Sequence, residues 1–212
     1  MPIADFNGNT FVAFTDISGF KELMKNDTIA LEAIKYFYQA GFNILRESEN
    51  VEGFFVSDCG ILFARNGDNE TKLLNLLDAV KRINKRMIEK NYMLTTSIAF
   101  GQFDYQGKIE FQGIEKNAIY GGAYVKSFLD NETGKPKIQP GQCRLVNQNL
   151  PQINFENIPL LVKRGNDNQH LYYYWNIENT EEIQIFERNY RDSYSLKYAG
   201  MINALKSITN ES

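Results

Sequence analysis

The sequence is poor in the residues on which disulfide-rich and zinc-binding domains depend. Its 212 residues include only two cysteines, Cys59 and Cys143, and a single histidine, His170. Two cysteines do not form a disulfide framework, so we expect a protein of the reducing cytoplasm. The three residues share no zinc-ligand spacing, which argues against a zinc site.

Long apolar runs and an excess of positive charge are also absent. No run approaches the roughly 20 apolar residues of a membrane-spanning helix, and the opening MPIADFNGNT lacks the segments of a secretion signal. The net charge is −3, whereas non-specific binding of nucleic acid depends on clustered lysine and arginine. We therefore expect neither a membrane partner nor a nucleic-acid partner.

The composition that remains is that of an ordinary globular protein. Hydrophobic residues make up 43% and charged residues 23% of the chain, and its length is sufficient to bury one core. Neither an internal repeat nor a Pro/Gly-rich linker divides it. We predict one domain over residues 1–178 and a helical extension over 179–212 that packs on this domain.

The hydrophobic pattern predicts alternating strands and helices. Short apolar runs predict strands over 10–17, 51–56, 59–64 and 93–104, a turn at 105–107 followed by KIEFQG, a broken strand over 137–146 and a closing hairpin over 158–175. Apolar residues at three- and four-residue spacing predict helices over 27–47, with Asp27 or Thr28 as N-cap, and over 70–90, 118–129 and from 181 onward.

This order of elements predicts the fold class. A strand, a helix, a hairpin, a helix and a further strand form a split βαβ arrangement. We predict an α+β fold, a ferredoxin-like or palm antiparallel sheet with helices on one face, plus a C-terminal helical appendage. The other face of the sheet is then available to a site or a partner.

Two carboxylates stand at strand ends in this arrangement. Asp16 ends the first strand and Asp58 lies at the tip of the hairpin that should pair beside it. Together with a backbone carbonyl such as that of Ile17, they suit Mg²⁺ or Mn²⁺, hard ions that prefer oxygen ligands. Each aspartate taken alone is more typical of an ordinary turn than of a metal site, and the flanking sequence is what favours the metal site.

The residues around both aspartates resemble a known family. FVAFTDISGF at 11–20 resembles the first metal-binding segment of class III nucleotide cyclases, and VSDCGILF at 56–63 resembles their second, with Ser57 in place of the usual glycine. Weaker similarity in later strands and helices extends the resemblance over about residues 10–177.

The resemblance implies a set of functional residues. Asp16, Asp58 and the carbonyl of Ile17 would hold two Mg²⁺ or Mn²⁺ ions per site. Phe20 would begin the helix whose amides face the triphosphate. Lys163 or Arg164 would contact the phosphates. Because the family's sites form between two cyclase domains, a homodimer is expected.

Two departures affect catalysis. The transition-state Asn and Arg of the family would fall on Val125 and Leu129, which cannot stabilise charge. Lys126, on the same predicted helix, is our candidate replacement, with Arg144 and Arg164 as alternatives. Lys126 also fits an ordinary solvated helix face. We interpret His170 as structural.

Two further departures affect base selection. The purine-selecting Lys and Asp would fall on Phe54 and Ala118, so hydrogen bonds that recognise adenine or guanine are missing. Phe54 is the aromatic residue expected against the base. In this respect the chain resembles the small stand-alone pyrimidine cyclases of bacterial Pycsar anti-phage systems.

The predicted function is a divalent-metal-dependent nucleotidyl cyclase that converts a nucleoside triphosphate, with UTP or CTP favoured, to a 3′,5′-cyclic mononucleotide and pyrophosphate. Val125 and Leu129 leave open a cyclase-fold module that binds nucleotide or a partner without catalysis. A palm enzyme that links nucleotides into oligomers is the third hypothesis. Fold similarity alone does not choose among the three.

Overall fold

The structure, a computed structural model, describes residues 3–111, 114–195 and 198–207. Residues 112 and 113 of the predicted KIEFQG segment and residues 196, 197 and 208–212 of the predicted extension lie outside this part. The strands are β1 (Phe6–Ile17), β2 (Val51–Val56), β3 (Cys59–Ala64), β4 (Leu94–Phe111), β5 (Ile114–Tyr120), β6 (Cys143–Val146), β7 (Leu161–Val162) and β8 (His170–Tyr173). The helices are α1 (Phe20–Leu23), α2 (Asp27–Glu47), α3 (Asn69–Glu89), α4 (Gly122–Thr133), α5 (Ile183–Ser195) and α6 (Tyr198–Ser207).

The strands form one sheet in the order β2-β3-β1-β4-β6-β8-β7, with β5 paired to β4. All pairs are antiparallel except β4 with β6. Helices α2 and α3 cover one face of this sheet and form the main core with it. The predicted α+β class is therefore confirmed.

Helices α2 and α3 form where the apolar spacing predicts them. The buried face of α2 carries Ala33, Phe37, Ala40 and Ile44 at intervals of three and four residues. Its N-cap is Asn26, whose side chain accepts hydrogen bonds from two backbone N–H groups of the first turn. The N-cap thus lies one residue before Asp27, the first of the two predicted positions.

Helix α4 packs on the opposite face of the sheet. Ala123 belongs to a second apolar cluster with Val12 and Phe14 of β1, and the ring of Phe128 lies 5.2 Å from that of Phe14. The second face is therefore partly covered by the chain itself.

The predicted bounds around α4 are wrong. Strand β4 continues through the predicted turn at 105–107, and Ala118 lies in β5, so α4 begins at Gly122. Gly121 has a φ of 120°, and a Cβ at this position would lie 2.4 Å from the carbonyl oxygen of Gln102. The backbone therefore approaches β4 too closely for any other residue.

The C-terminal helices pack on the domain. Phe186 and Tyr190 of α5 and Met201 and Leu205 of α6 are buried in the main core, and the Tyr190 hydroxyl donates a hydrogen bond to the carbonyl of Pro140. The predicted helical appendage is thus present, while the division at residue 178 stays a prediction. Within the described ranges, no helix has the length and apolar character needed to span a membrane.

Candidate metal centre

The pairing of β1 with β3 brings Asp16 and Asp58 together. Asp16 lies opposite Cys59 in the register of the two strands, and Asp58 lies in the two-residue turn between β2 and β3. The Ile17 amide donates a hydrogen bond of 3.1 Å to the carbonyl oxygen of Asp58. One ligand atom from each of Asp16, Asp58 and Cys59 lies within 4.8 Å of the other two.

Two tight turns hold these residues. Gly19, which follows β1, has a φ of 74°, and Ser57 in the β2–β3 turn has a φ of 56°. Both values lie in the left-handed region that favours glycine. A serine held at this φ carries a conformational cost that a glycine would not.

The side chain of Asp16 is in an unfavourable environment for a charge. Burial raises the pKa of Asp16 to about 7, opposed by a hydrogen bond from Cys59 and reinforced by the negative charges of Asp58 and Glu132. The thiol of Cys59 donates to Oδ1 of Asp16 over 3.3 Å. A carboxylate that is buried beside like charges is stabilised by any cation that binds between them.

The residues fit a divalent cation. Two carboxylates within reach of one ion are the hard oxygen ligands that Mg²⁺ and Mn²⁺ prefer. Burial, and to a lesser extent the charges of Asp58 and Glu132, raise the pKa of Asp16, and a bound cation would offset both effects. The Ile17 side chain points into the main core, so only its backbone is available to an ion. The carbonyl of Ile17 as a ligand stays a prediction.

Two residues near Asp16, Cys59 and Glu132, were not predicted from the sequence. Cys59 directly follows Asp58, and pairing it with Asp16 in a β1–β3 register would have shown that its side chain shares a sheet face with Asp16. Glu132 acts on Asp16 through its charge. It comes from α4, and nothing in the sequence predicts that α4 crosses this face of the sheet.

The structure does not bring Lys163 or Arg164 to these carboxylates within one chain. Lys163 and Arg164 follow β7, which is separated from β1 by four strand spacings, on the order of 20 Å. The guanidinium of Arg164 pairs with Glu187 of α5 at 2.7 Å and stacks over the ring of Tyr172. Lys163 is exposed.

The remaining predicted residues lie on α1, α4 and β2. Lys126 is half-buried on α4. Phe20 is buried and begins α1, a single turn of four residues. Phe54 is half-buried in β2, and its ring stacks on that of Tyr105 at 5.6 Å. Their assigned roles in phosphate and base binding stay predictions.

Known proteins resemble this chain in structure but not in sequence. At the level of sequence, neither a protein-family model nor a curated protein matches the chain. The adenylyl cyclase CyaB from P. aeruginosa is similar with a TM-score of 0.55 and 12% identity, over 80% of this chain and 94% of CyaB.

Two fungal guanylyl cyclase domains are similar in the same way. The dimeric domain of RhoGC from Blastocladiella emersonii has a TM-score of 0.58 and 10% identity, over 81% of this chain and 98% of that domain. The domain of RhGC from Catenaria anguillulae, solved with GTP, has a TM-score of 0.54 and 11% identity, over 80% and 96% of the two chains. The chain therefore has the fold of class III adenylyl and guanylyl cyclase domains.

Proposed function

We propose that this protein is a divalent-metal-dependent nucleotidyl cyclase. The observation that carries the proposal is the meeting of Asp16 and Asp58, from distant parts of the chain, beside the end of β1 in a cyclase fold. The substrate is a nucleoside triphosphate, and the products are a 3′,5′-cyclic mononucleotide and pyrophosphate.

Asp16 and Asp58 would hold Mg²⁺ or Mn²⁺. When bound, the ions supply Lewis-acid chemistry, favouring the 3′-hydroxyl as a nucleophile and the developing charge on the leaving pyrophosphate. The protein's own contribution is to place one carboxylate at the end of β1 and the other in the β2–β3 turn, where the pairing of β1 with β3 prevents them from moving apart under their mutual repulsion.

Cations for the phosphates would come from a second copy. Lys163 and Arg164 are too far from Asp16 in one chain. The similar RhoGC domain forms a non-canonical dimer in one structure and is monomeric in another, so the expected second copy rests on the resemblance to class III cyclases. The outer surface of α4 exposes Val125, Phe128 and Leu129 at 47%, 38% and 48%, and an apolar surface of this kind suits a contact between copies. A two-fold homodimer would close two equivalent sites.

A pyrimidine base is the expected specificity. Phe54 and Ala118 offer no side-chain hydrogen bonds to a purine edge, and Phe54 presents an aromatic ring already stacked on Tyr105. UTP or CTP is therefore favoured over the GTP bound by the similar RhGC domain. A role in anti-phage signalling follows from the resemblance to stand-alone pyrimidine cyclases.

The test is incubation of the protein with each of the four triphosphates and Mn²⁺, followed by mass spectrometry of the products. We expect a cyclic mononucleotide with wild type and with Asp78→Asn, an exposed aspartate of α3 that serves as matched control. Asp16→Asn and Asp58→Asn should form none. A product larger than a mononucleotide would instead identify the oligonucleotide-forming activity.

The exposed Val125 and Leu129 favour a second function. Apolar side chains at the positions that carry Asn and Arg in the resembling family suit a module that binds nucleotide or a partner without turnover. Calorimetry with Mn²⁺ and a triphosphate separates the two functions. Micromolar binding with no cyclic product over long incubation would support the binding module.

A further inference from the structure

A second buried group of charged side chains takes no part in the proposed function. We define the Asp130 cluster as Asp130 of α4, Arg144 of β6, His170 and Tyr172 of β8, and Asp167 of the loop over residues 163–169. Arg144 and His170 are among the most buried side chains of the protein, exposed by 0% and 2%. Such charges are stable in the interior only when they are paired.

Asp130 is the centre of this cluster. Arg144 donates to its two carboxylate oxygens at 2.8 and 2.9 Å and to its backbone carbonyl at 2.9 Å. The hydroxyl of Ser97 donates at 2.5 Å, and Nε2 of His170 lies 2.8 Å from Oδ1. These donors attach α4 to strands β4, β6 and β8 at one point.

The histidine ring faces a carboxylate on both sides. While Nε2 contacts Asp130, Nδ1 lies 2.8 Å from Oδ2 of Asp167. A carboxylate only accepts hydrogen bonds, so both ring nitrogens donate and the ring carries a positive charge. Burial alone would lower the pKa of His170, but the hydrogen bonds to Asp130 and Asp167 outweigh it and raise the pKa above its ordinary value.

The two carboxylates belong to the segments that carry the predicted phosphate-binding cations. Asp130 is on α4, four residues after Lys126, and Asp167 is in the loop that carries Lys163 and Arg164. We propose that protonated His170 is a positioning residue that couples α4 to the 163–169 loop. The coupling itself follows from the geometry, and its effect on triphosphate binding rests on the proposed function.

Helix α4 also contacts β1 close to the carboxylate pair. Asn131, next to Asp130, accepts a hydrogen bond from Thr95 at 3.1 Å and donates one to the carbonyl of Phe14 at 3.4 Å. Phe14 lies two residues before Asp16 on β1. A shift of α4 would therefore be felt at Asp16 as well as at Lys126.

The coupling depends on pH because a neutral imidazole has one N–H donor instead of two. The charged groups that face the ring are Asp130 from α4, Asp167 from the loop and Arg144 from β6, whose positive charge opposes protonation. Tyr172 of β8 donates to Asp167 at 2.8 Å. The coupling is complete below pH 6.5, the ordinary histidine value, and is lost as pH rises through the folded pKa.

The charge of the ring is measured by nuclear magnetic resonance. His170 is the only histidine, so its ring signals need no assignment in the full-length protein labelled with ¹⁵N. We expect both nitrogens to be protonated at pH 6.5 and a titration midpoint above 6.5. A midpoint at or below 6.5, or a single ring N–H at pH 6.5, would overturn the proposal.

The coupling is measured by hydrogen–deuterium exchange of His170→Gln against wild type at one pH. Glutamine is neutral and donates from a single nitrogen, so it does not bridge the two carboxylates as the imidazolium does. We expect the amides of α4 and of the 163–169 loop to exchange about tenfold faster together, while those of α2 stay unchanged. Faster exchange in only one of the two segments, or equally in α2, would contradict the coupling.

The functional part is measured as the KM for the triphosphate between pH 6 and 9. In wild type and Asp78→Asn, KM should rise severalfold across the midpoint found by magnetic resonance, and in His170→Gln it should be high and independent of pH. A histidine that only stabilises the fold would lower the melting temperature and leave the two pH profiles parallel. Absence of turnover in wild type would refute the proposed function, while the resonance and exchange results would still decide the coupling.

Discussion

Two acidic clusters lie on the same face of the sheet, and their carboxylates have opposite properties. Asp16 pairs with Thr95 on β4, and Asp130 binds Ser97, two residues further along that strand. Burial raises the pKa of Asp16 to about 7. Burial would also raise the pKa of Asp130, but hydrogen bonds from His170, Arg144 and Ser97 lower it below its ordinary value.

The difference is the supply of cations. Asp130 has a buried arginine and a histidine as permanent partners, so its charge is balanced within the chain. Asp16 has a weakly donating thiol and two further carboxylates around it. Similar chemistry thus produces a structural anchor in one place and, in the other, the cluster that we propose binds a divalent cation.

The largest effect is expected from removing the internal cation. Arg144→Met leaves Asp130 buried without its bidentate partner and should lower the free energy of unfolding by about 3–5 kcal/mol, measured by urea denaturation at pH 7. Arg82→Met is the matched control, because Arg82 pairs with Glu47 at the surface and should cost about 0–1 kcal/mol. Similar losses in the two variants would mean that the Asp130 cluster is no anchor.

Removing the charge of Asp16, which has no cationic partner among the groups that shift its pKa, should raise the free energy of unfolding instead of lowering it. A raised carboxyl pKa means that stability is lost as pH rises from 3.8 through about 7. At pH 8 without metal, Asp16→Asn should therefore raise the free energy of unfolding by about 1–3 kcal/mol, allowing for partial solvent screening.

Mn²⁺ should offset the stability difference between these two proteins. Wild type should gain about 2.7 kcal/mol at a hundredfold excess over the dissociation constant, and Asp16→Asn should gain little. Thermal melts with and without Mn²⁺ measure both effects, with Asp78→Asn as the control that behaves as wild type. An equal gain in all three proteins would place the ion elsewhere.

A smaller effect is expected in the pH dependence of the stability that the Asp130 cluster provides. The lowered pKa of Asp130 and Asp167 provides stability above pH 3.8 that is lost as pH falls through the folded values, and the raised pKa of His170 provides stability below 6.5 that is lost at higher pH. Wild type should exceed His170→Gln by about 1–2 kcal/mol at pH 6 and by less at pH 9, in denaturant titrations. A difference independent of pH would argue against a charged ring.

The smallest effect concerns the hairpin that presents Asp58. Ser57→Gly relieves a left-handed φ of 56° and should stabilise the protein by about 0.5–1 kcal/mol, with unchanged Mn²⁺ affinity by calorimetry. Ser57→Ala keeps the Cβ atom and should show no gain. Stabilisation by both variants would mean that the serine hydroxyl, and not the backbone, carries the cost.

Local patterns were sufficient for much of the fold. The bounds of β2, β3 and α2 agree with the prediction, because each depends on apolar periodicity and turn residues within a short segment. The start of α4 was not predictable in this way. It depends on β5 pairing with β4 and on the close approach of Gly121 to Gln102, which are contacts between segments.

The residues of the candidate site were likewise predictable from the sequence only in part. The order of elements was enough to expect Asp16 and Asp58 at neighbouring strand ends. Glu132 was not expected beside them, since α4 was not predicted to cross that face. His170 was interpreted as structural, but its two carboxylate partners come from α4 and from the loop before β8.

The sequence by itself determined the types and order of the elements, and it determined which side chains carry charge. Only the tertiary structure decided which buried carboxylate meets a cation of the chain and which does not. The physical reason is that the energy of a buried charge depends on the groups within a few ångströms of it, and in this protein those groups come from strands, helices and loops far apart along the chain.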